Sequence, residues 1–204
     1  MMQVIVPPTV EPISAAQAFA ELRIDPGDDI TASPDYAEVV SLIREARAHC
    51  ENLAGSAFVP QTIRFSPDRL TDWRTIELPR RPLLSIESVS YYGTDGMLTA
   101  IDSASYYAPA LYVPSLYFVG GYSLPVLHER PDALRIDYVA GYAPTGADEG
   151  DPQYLASGVP EEIRRAIRLT MRLLYQSLDP REHEVTEKAR DALLNSSSAK
   201  VWKV

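Results

Sequence analysis

The sequence predicts an α+β fold, in which a helical core of about four helices carries an antiparallel β-rich insert between the second and third helices. Apolar residues recur at helical spacing near both ends of the chain and alternate with polar residues in its middle. Nine of the twelve tyrosines lie between Tyr91 and Tyr142, as suits a half-buried sheet. We therefore expect an N-terminal helical part (1–57), a β insert (58–145) and a C-terminal part with helices and a tail (146–204), which together form one composite domain.

Two helices are predicted in the N-terminal part. The run Ser14-Ala15-Ala16-Gln17 has the pattern of a capping box and opens a short helix that ends near Arg23. A longer helix is predicted to begin with Ser33 as its N-cap and Pro34 in its first turn, and to end at Gly55. Its apolar residues at helical spacing are Tyr36, Val39, Val40, Ile43, Ala46, Cys50 and Leu53.

The insert is predicted from alternation with a period of two. Strands are expected at 62–65, 75–78, 85–91 and 134–139, and Thr94-Asp95-Gly96 supplies a hairpin turn before a further strand at 97–101. The segment from Tyr106 to Leu127 carries no formal charge and is rich in tyrosine. Because tyrosine serves both strands and interfaces, this segment is either sheet with loop, which we favour, or a docking loop.

Two further helices are predicted in the C-terminal part. The third begins at Val159-Pro160-Glu161-Glu162, with acidic residues in its first turn, and runs to about Leu178. The fourth covers about 184–195 and precedes a flexible serine linker at 196–198 and a tail at 201–204. The buried stripe expected on the third helix consists of Ile163, Ile167, Met171, Leu174 and Leu178.

Composition and motifs argue against several classes of function. The chain has 19 Lys and Arg against 28 Asp and Glu and a net charge of −9, so as a whole it lacks the excess of basic residues typical of a protein that binds duplex DNA. No phosphate-binding loop, dinucleotide-binding glycine pattern, zinc-protease motif or serine-hydrolase elbow occurs in the sequence. The single cysteine, Cys50, rules out an internal disulfide, and His49, His128 and His183 lack metal-ligand spacing. We expect no metal and no cofactor.

The sequence also predicts neither a membrane span nor export. The uncharged stretch at 103–128 is interrupted by three prolines and by Gly120-Gly121, whereas a spanning helix needs about 20 uninterrupted, mostly apolar residues. The start of the chain lacks the basic and apolar regions of a signal peptide.

Two charged surfaces are candidate contacts between subunits. Arg164, Arg168 and Arg172 recur every four residues on the third helix, beside Arg165, and form either a solvated face or a surface for phosphates or an acidic partner. Acidity is concentrated in residues 1–55, which carry 3 basic and 9 acidic side chains. If copies form a ring, the acidic residues of one copy would meet the arginines of the next. The acidic set is Asp25, Asp28, Asp29, Asp35 and Glu38.

The C-terminal tail is a further candidate docking element. Trp202 lies between Val201 and Lys203, after a polar run. This composition favours docking on a partner, and the alternative is that the tail packs back on its own domain.

Segments spread over most of the chain are similar, in their order and spacing, to those of a known family. They occupy residues 7–14, 21–25, 43–47, 54–58, 61–62, 81–91, 95–96, 139–142, 159–167, 192–194 and 201–203. With these segments the sequence resembles the gp6-like head–tail connector family of tailed phages, in its branch with a β-rich insert. It departs from the family at Leu124, where a Trp often precedes the proline, and at the polar linker 195–198.

The resemblance implies a structural adaptor and not an enzyme. Copies of such adaptors form a ring, dodecameric in the family, beneath the portal protein of a DNA-filled head, and join it to a stopper or tail-completion protein; similar adaptors occur in gene transfer agents. In such rings the helices line the DNA channel, the genome passes without sequence-specific binding, and the C-terminal tail reaches into the portal. The resemblance thus implies synthesis in the host cytoplasm, a place in the virion, and portal docking by Val201, Trp202, Lys203 and Val204.

Two other functions are compatible with the sequence. One is another virion protein, such as a stopper or tail-completion subunit. The other, from a different class, is a small hydrolase with a site in the tyrosine-rich insert, because a fold does not by itself exclude a grafted site.

Overall fold

The chain divides into one unit built on β-sheets and one built on helices. The computed structural model describes residues 1–68, 72–109, 113–146, 148, 150–176 and 178–200, the side chains of 197–200 excepted. Unit 1 comprises Met1–Pro8 and Pro60–Tyr142, and unit 2 comprises Thr9–Val59 and the chain from Ala143 onward. The α+β class with a β-rich insert is confirmed.

The strands of unit 1 form two antiparallel sheets. In chain order they are β1 (Met2–Val6), β2 (Gln61–Phe65), β3 (Thr75–Glu77), β4 (Leu83–Tyr92), β5 (Leu98–Ala100), β6 (Tyr106–Tyr107), β7 (Ser115–Phe118) and β8 (Leu134–Ala140). One sheet has the order β1-β2-β8-β4-β5, and the other has the order β3-β7-β6. The predicted strands and the β4–β5 hairpin are present, and the tyrosine-rich segment contributes β6, β7 and loop, as we favoured.

The central strand β8 explains how this unit is held together. Its residues alternate between buried and half-buried positions, with Leu134, Ile136 and Tyr138 facing the core. The buried hydroxyl of Tyr138 accepts a hydrogen bond from the backbone N–H of Arg80 at 3.2 Å. On the other face of β8, the carboxylate of Asp137 accepts two hydrogen bonds, at 2.8 and 2.7 Å, from the guanidinium of Arg64 on the neighbouring strand β2.

Strand β1 was not predicted, because the sequence analysis assigned the whole of 1–57 to the helical part. Residues 2–6 lie in unit 1 instead, where they pair with β2. The run Met-Gln-Val-Ile-Val shows little polar alternation, and only its pairing with a strand almost 60 residues later, in the register Val4 to Ile63, makes it a strand.

Unit 2 contains the four predicted helices, α1 (Ala15–Leu22), α2 (Tyr36–Ala54), α3 (Glu161–Tyr175) and α4 (Pro180–Lys200). The capping box of α1 is confirmed, because the Ser14 hydroxyl accepts from the Gln17 N–H and the Gln17 side chain accepts from the Ser14 N–H. α2 ends at Gly55, whose φ of 60° only glycine adopts freely. The core is formed by Phe19, Leu22, Val39, Ile43, Ala46, Cys50, Ile163, Ile167 and Met171, among others.

Three predicted helix boundaries were wrong. α2 begins at Tyr36 with Asp35 as its N-cap, because Ser33 closes a separate turn with Tyr36. α3 ends at Tyr175, so Leu174 in its last turn is exposed and Leu178 lies beyond the helix. α4 begins at Pro180, after Asp179 accepts two backbone N–H groups.

The predicted serine linker was also wrong. α4 continues through 196–198 to Lys200, and the hydroxyl of Ser196 donates to the carbonyl of Leu193 at 2.9 Å. A serine hydroxyl that bonds back to its own helix no longer competes with the helical backbone for hydrogen bonds, which removes the main reason for a break at this position.

Candidate interaction surface

Arg164 of the predicted arginine stripe is an internal structural residue. Its guanidinium donates to the carbonyl oxygens of Pro12 at 2.5 Å, Ala156 at 2.6 Å and Val159 at 3.1 Å. The side chain is only 19% exposed. Arg164 therefore joins the start of α3 to the segment before α1, and its guanidinium is bonded within its own chain rather than to solvent.

Arg168 is also engaged within unit 2. It donates to the carboxylate of Glu161 at 2.6 Å and lies 3.8 Å from that of Glu21 on α1. The remaining members of the stripe differ from both, because Arg165 is exposed and Arg172 is half-buried, and in the described residues neither has an ion-pair partner. The stripe thus separates into two structural arginines and two that are available to a partner.

Arg172 lines two adjoining clefts of unit 2. One has a volume of about 470 Å³ and is lined by Ala20, Glu21, Arg23, Arg172, Gln176 and Glu182. The other, of about 350 Å³, is lined by Arg172, Arg181, Glu182, Val185 and Thr186. Arg172 and Glu182 line both, so the two clefts adjoin where the end of α1, the end of α3 and the start of α4 meet, and we call them together the groove.

Arg23 and Arg181 were missed by the sequence analysis. Their nearness to Arg172 depends on how three helices pack, which no spacing in the sequence reveals. The sequence holds one local signal for Arg23. Pro26 predicts that α1 ends a few residues before it, and a residue at a helix end often takes the left-handed conformation that Arg23 has.

The acidic residues proposed for subunit contacts lie between α1 and the start of α2. Asp28, Asp29 and Glu38 are exposed, and Asp35 is half-buried. Asp29 accepts hydrogen bonds from the hydroxyl of Thr31 at 2.7 Å and from its N–H at 2.9 Å, which lower the pKa of this carboxyl below its usual range. The Asp29 carboxylate therefore stays ionised at neutral pH.

The tyrosine-rich segment is used largely in packing within unit 1. Phe118 stacks on Tyr122 at 5.1 Å and contacts Trp73 at 5.9 Å and Tyr106 at 6.4 Å, between ring centroids. Partial burial raises the pKa values of Tyr106 and Tyr122, so both phenols remain protonated. These contacts give the segment a structural role.

Cys50 is a buried structural thiol. Burial raises its pKa to about 11, and its sulfur lies 3.1 Å from the hydroxyl of Thr170. The neighbouring His49 points instead towards Arg190, with 3.5 Å between the two nitrogens. A thiol that stays protonated at neutral pH is a poor nucleophile.

No group of three or more His, Cys, Asp or Glu side chains among the described residues is arranged to hold a metal ion. No helix among those residues is both long enough and apolar enough to cross a lipid bilayer. The proposed docking tail Val201, Trp202, Lys203 and Val204 lies outside the described residues.

The fold of this chain is similar to that of solved particle proteins. A chain in the neck of an empty GTA particle, computed with C6 symmetry, superposes with a TM-score of 0.68 at 19% identity, over 88% of this chain and 86% of that chain. A chain in the virion of a native gene transfer agent (GTA) particle gives 0.66 at 20% identity, over 96% and 94%. A chain in the neck of the native GTA particle, computed with C12 symmetry, gives 0.57 at 18% identity, over 93% and 94%.

At these identities the likeness establishes a shared fold. No protein-family model matches the sequence, and no curated protein is similar to it.

Proposed function

We propose that the protein is a structural adaptor of a tailed phage or phage-like particle. Copies form a ring at the neck, beneath the portal, which joins the DNA-filled head to the tail and lets DNA pass. The observation that carries this proposal is the fold shared with a GTA virion chain over 96% of this chain and 94% of that chain, a span that includes both units. The order of the family-like segments in the sequence supports the same function.

The charge and chemistry of the chain fit a passive conduit. A net charge of −9 repels DNA phosphates, so a duplex passes such a ring without adhering to it. One of the similar chains belongs to a GTA neck computed with C12 symmetry, and this supports a ring of twelve copies as the assembled form. The adaptor needs no cofactor and acts in the virion after synthesis in the host cytoplasm.

The C-terminal tail is proposed to dock on the portal protein. α4 extends to Lys200, so a helix leads directly to Val201, Trp202, Lys203 and Val204. Tryptophan is a type of residue that often anchors an interface, since buried aromatic side chains tend to dominate binding energy.

The proposal is tested by capture of the portal protein from the same genetic element. The full-length chain and a version truncated after Lys200 are compared, with circular dichroism to show that both are folded. We expect the full-length chain alone to retain the portal. If neither folded version binds the portal and both bind tail components, the protein is a stopper or tail-completion subunit and the adaptor proposal is wrong.

A matched variant separates the anchor from the helix that carries it. Trp202→Ala leaves the length of the tail unchanged, and we expect it to weaken portal binding by about 30-fold or more, as for a hot-spot aromatic residue. Lys203→Ala changes the charged neighbour in the same tail, and we expect it to weaken binding less than about fivefold.

A further inference from the structure

Three arginines around the groove of unit 2 have no ion-pair partner among the described residues. We call Arg23, Arg172 and Arg181 the cleft arginines. In the described part of the chain none of their guanidinium groups has an ion-pair or hydrogen-bond partner, whereas Arg164 and Arg168 are fully engaged. Arginine presents a planar fork that binds carboxylates through two hydrogen bonds at once.

Arg23 holds this position at a cost in backbone strain. Its φ is 59°, and it is the one non-glycine residue with a positive φ among the described residues. A β-carbon in the left-handed region costs roughly 1–2 kcal/mol, and glycine would occupy the same helix end freely. The helix end accounts for the left-handed conformation, but within the described residues no bond of the side chain accounts for an arginine in place of glycine, which makes a contact outside the chain the reason we pursue.

The groove has an excess of positive charge. Of its two acidic residues, Glu21 is already matched by Arg168 at 3.8 Å, which leaves Glu182 opposite the three cleft arginines. The chain as a whole is strongly acidic, so this local excess stands out against its surroundings. The complementary ligand is a segment that carries several carboxylates.

Such a segment exists in the chain itself. Residues 24–38, the acidic segment, contain Asp25, Asp28, Asp29, Asp35 and Glu38 and no Lys or Arg. None of its residues lines either cleft of its own copy. It lies on the turn and first helical turn that lead into α2, while the groove lies on α1, α3 and α4. One copy therefore offers both halves of a charge-complementary contact.

We propose that the cleft arginines bind the acidic segment of a second copy, so that each copy gives its acidic segment to one neighbour and its groove to the other. This inference rests on the proposed ring, because a head-to-tail contact repeated by rotation closes into one. The cleft arginines differ from the arginine stripe that the sequence suggested, and Arg172 is the only residue that belongs to both sets.

The experiment reverses each half of the contact and then both. The full-length chain is co-expressed with the portal protein, the complex is purified on a tagged portal, and native mass spectrometry counts copies per portal at 0.15 M salt. The groove variant combines Arg172→Glu with Arg181→Glu, and the segment variant combines Asp28→Lys with Glu38→Lys. The control combines Arg44→Glu with Arg74→Glu, which makes the same charge change at exposed arginines that line neither cleft.

We expect each reversal to abolish full rings, and the fourfold variant to restore them because both halves then carry swapped charges. Self-association of the free chain, measured by sedimentation, falls about tenfold or more in each reversal and in the wild type at 1 M salt. The control assembles like the wild type. The inference is overturned if both reversals form full rings, or if the folded fourfold variant does not regain them.

Arg23→Gly provides a readout that a purely structural role would not give. Glycine relieves the positive φ, so we expect the melting temperature to stay the same or rise while ring occupancy falls. Unchanged occupancy would remove Arg23 from the contact and contradict the proposal.

Two further outcomes distinguish this inference from others. If a wild-type chain with an intact tail neither binds the portal nor self-associates, the proposed function fails, and the inference fails with it. If the groove reversal leaves ring occupancy unchanged but abolishes binding of a DNA duplex, the cleft arginines bind phosphates and the subunit contact is wrong.

Discussion

Replacing Arg164 with alanine tests how the helical unit is held together. The substitution removes three hydrogen bonds, to the carbonyl oxygens of Pro12, Ala156 and Val159 at 2.5–3.1 Å. A hydrogen bond that involves a charged group contributes about 1.5–3 kcal/mol. Because the side chain is 19% exposed, water replaces part of this, and we expect a loss of about 3 kcal/mol in the free energy of unfolding.

The assay is urea and thermal unfolding followed by helical circular dichroism. A loss of about 3 kcal/mol corresponds to a fall of roughly 6–12 °C in the melting temperature of a chain of this size. Arg165→Ala is the matched control, since it changes the adjacent, exposed arginine of the same helix, and we expect it to stay within about 0.5 kcal/mol of the wild type. Arg164→Lys keeps the charge but loses the planar fork, and its stability should fall between the two.

Equal unfolding midpoints for Arg164→Ala and Arg165→Ala would refute the reasoning. That result would mean that the three carbonyl contacts add nothing to the folded state. The two arginines would then be equivalent surface residues, and the original interpretation of a solvated stripe would apply to both.

Three further substitutions have defined outcomes. Gly158→Ala places a β-carbon 1.9 Å from the carbonyl oxygen of Ala143, so we expect a loss of about 2 kcal/mol or more in urea unfolding, whereas Gly120→Ala, with open space around it, is neutral. Ser14→Ala removes one half of the α1 capping box and should cost about 1 kcal/mol, which thermal melts would reveal; an unchanged midpoint would mean that the cap is not formed. The pKa of Cys50 is raised to about 11, so the folded state keeps a proton that the unfolded thiol loses above about pH 9. The free energy of unfolding of the wild type should therefore decline between these two pH values, by at most about 2 kcal/mol. Urea unfolding across this pH range should show that Cys50→Ala lacks this decline.

Local patterns were sufficient for most elements of the fold. The capping box at Ser14 and Gln17 specifies a helix start through two reciprocal hydrogen bonds within four residues, so the sequence alone predicts it. The alternation of β8 is equally local, because successive side chains point to opposite faces of a sheet. Both patterns depend only on residues that are neighbours along the chain.

Elements defined by distant partners could not be predicted in this way. β1 is a strand because residue 4 pairs with residue 63, and its own sequence contains no turn or alternation that indicates this. The end of α4 shows a related difficulty, since three serines indicate a linker by composition while one hydroxyl, that of Ser196, bonds back to the helix.

The candidate interaction surface depends even more on tertiary structure. A spacing of four residues places Arg164, Arg168 and Arg172 on one side of α3, but it does not say what lies opposite that side. Main-chain carbonyls from the segments before α1 and before α3 lie opposite Arg164, carboxylates lie opposite Arg168, and the groove lies opposite Arg172. The three arginines therefore have three different roles along a single stripe.

This distribution also explains why net charge alone is a poor guide to the partner. An acidic chain repels a duplex as a whole. Arg164 and Arg168 are nevertheless bonded inside unit 2, whereas the three cleft arginines have no ion-pair partner among the described residues. Since exposed pairs are screened over about 8 Å at physiological salt, only a partner that enters the groove experiences this local excess. Repulsion of a duplex and attraction of an acidic segment are thus compatible properties of one subunit, and the proposed ring would use both.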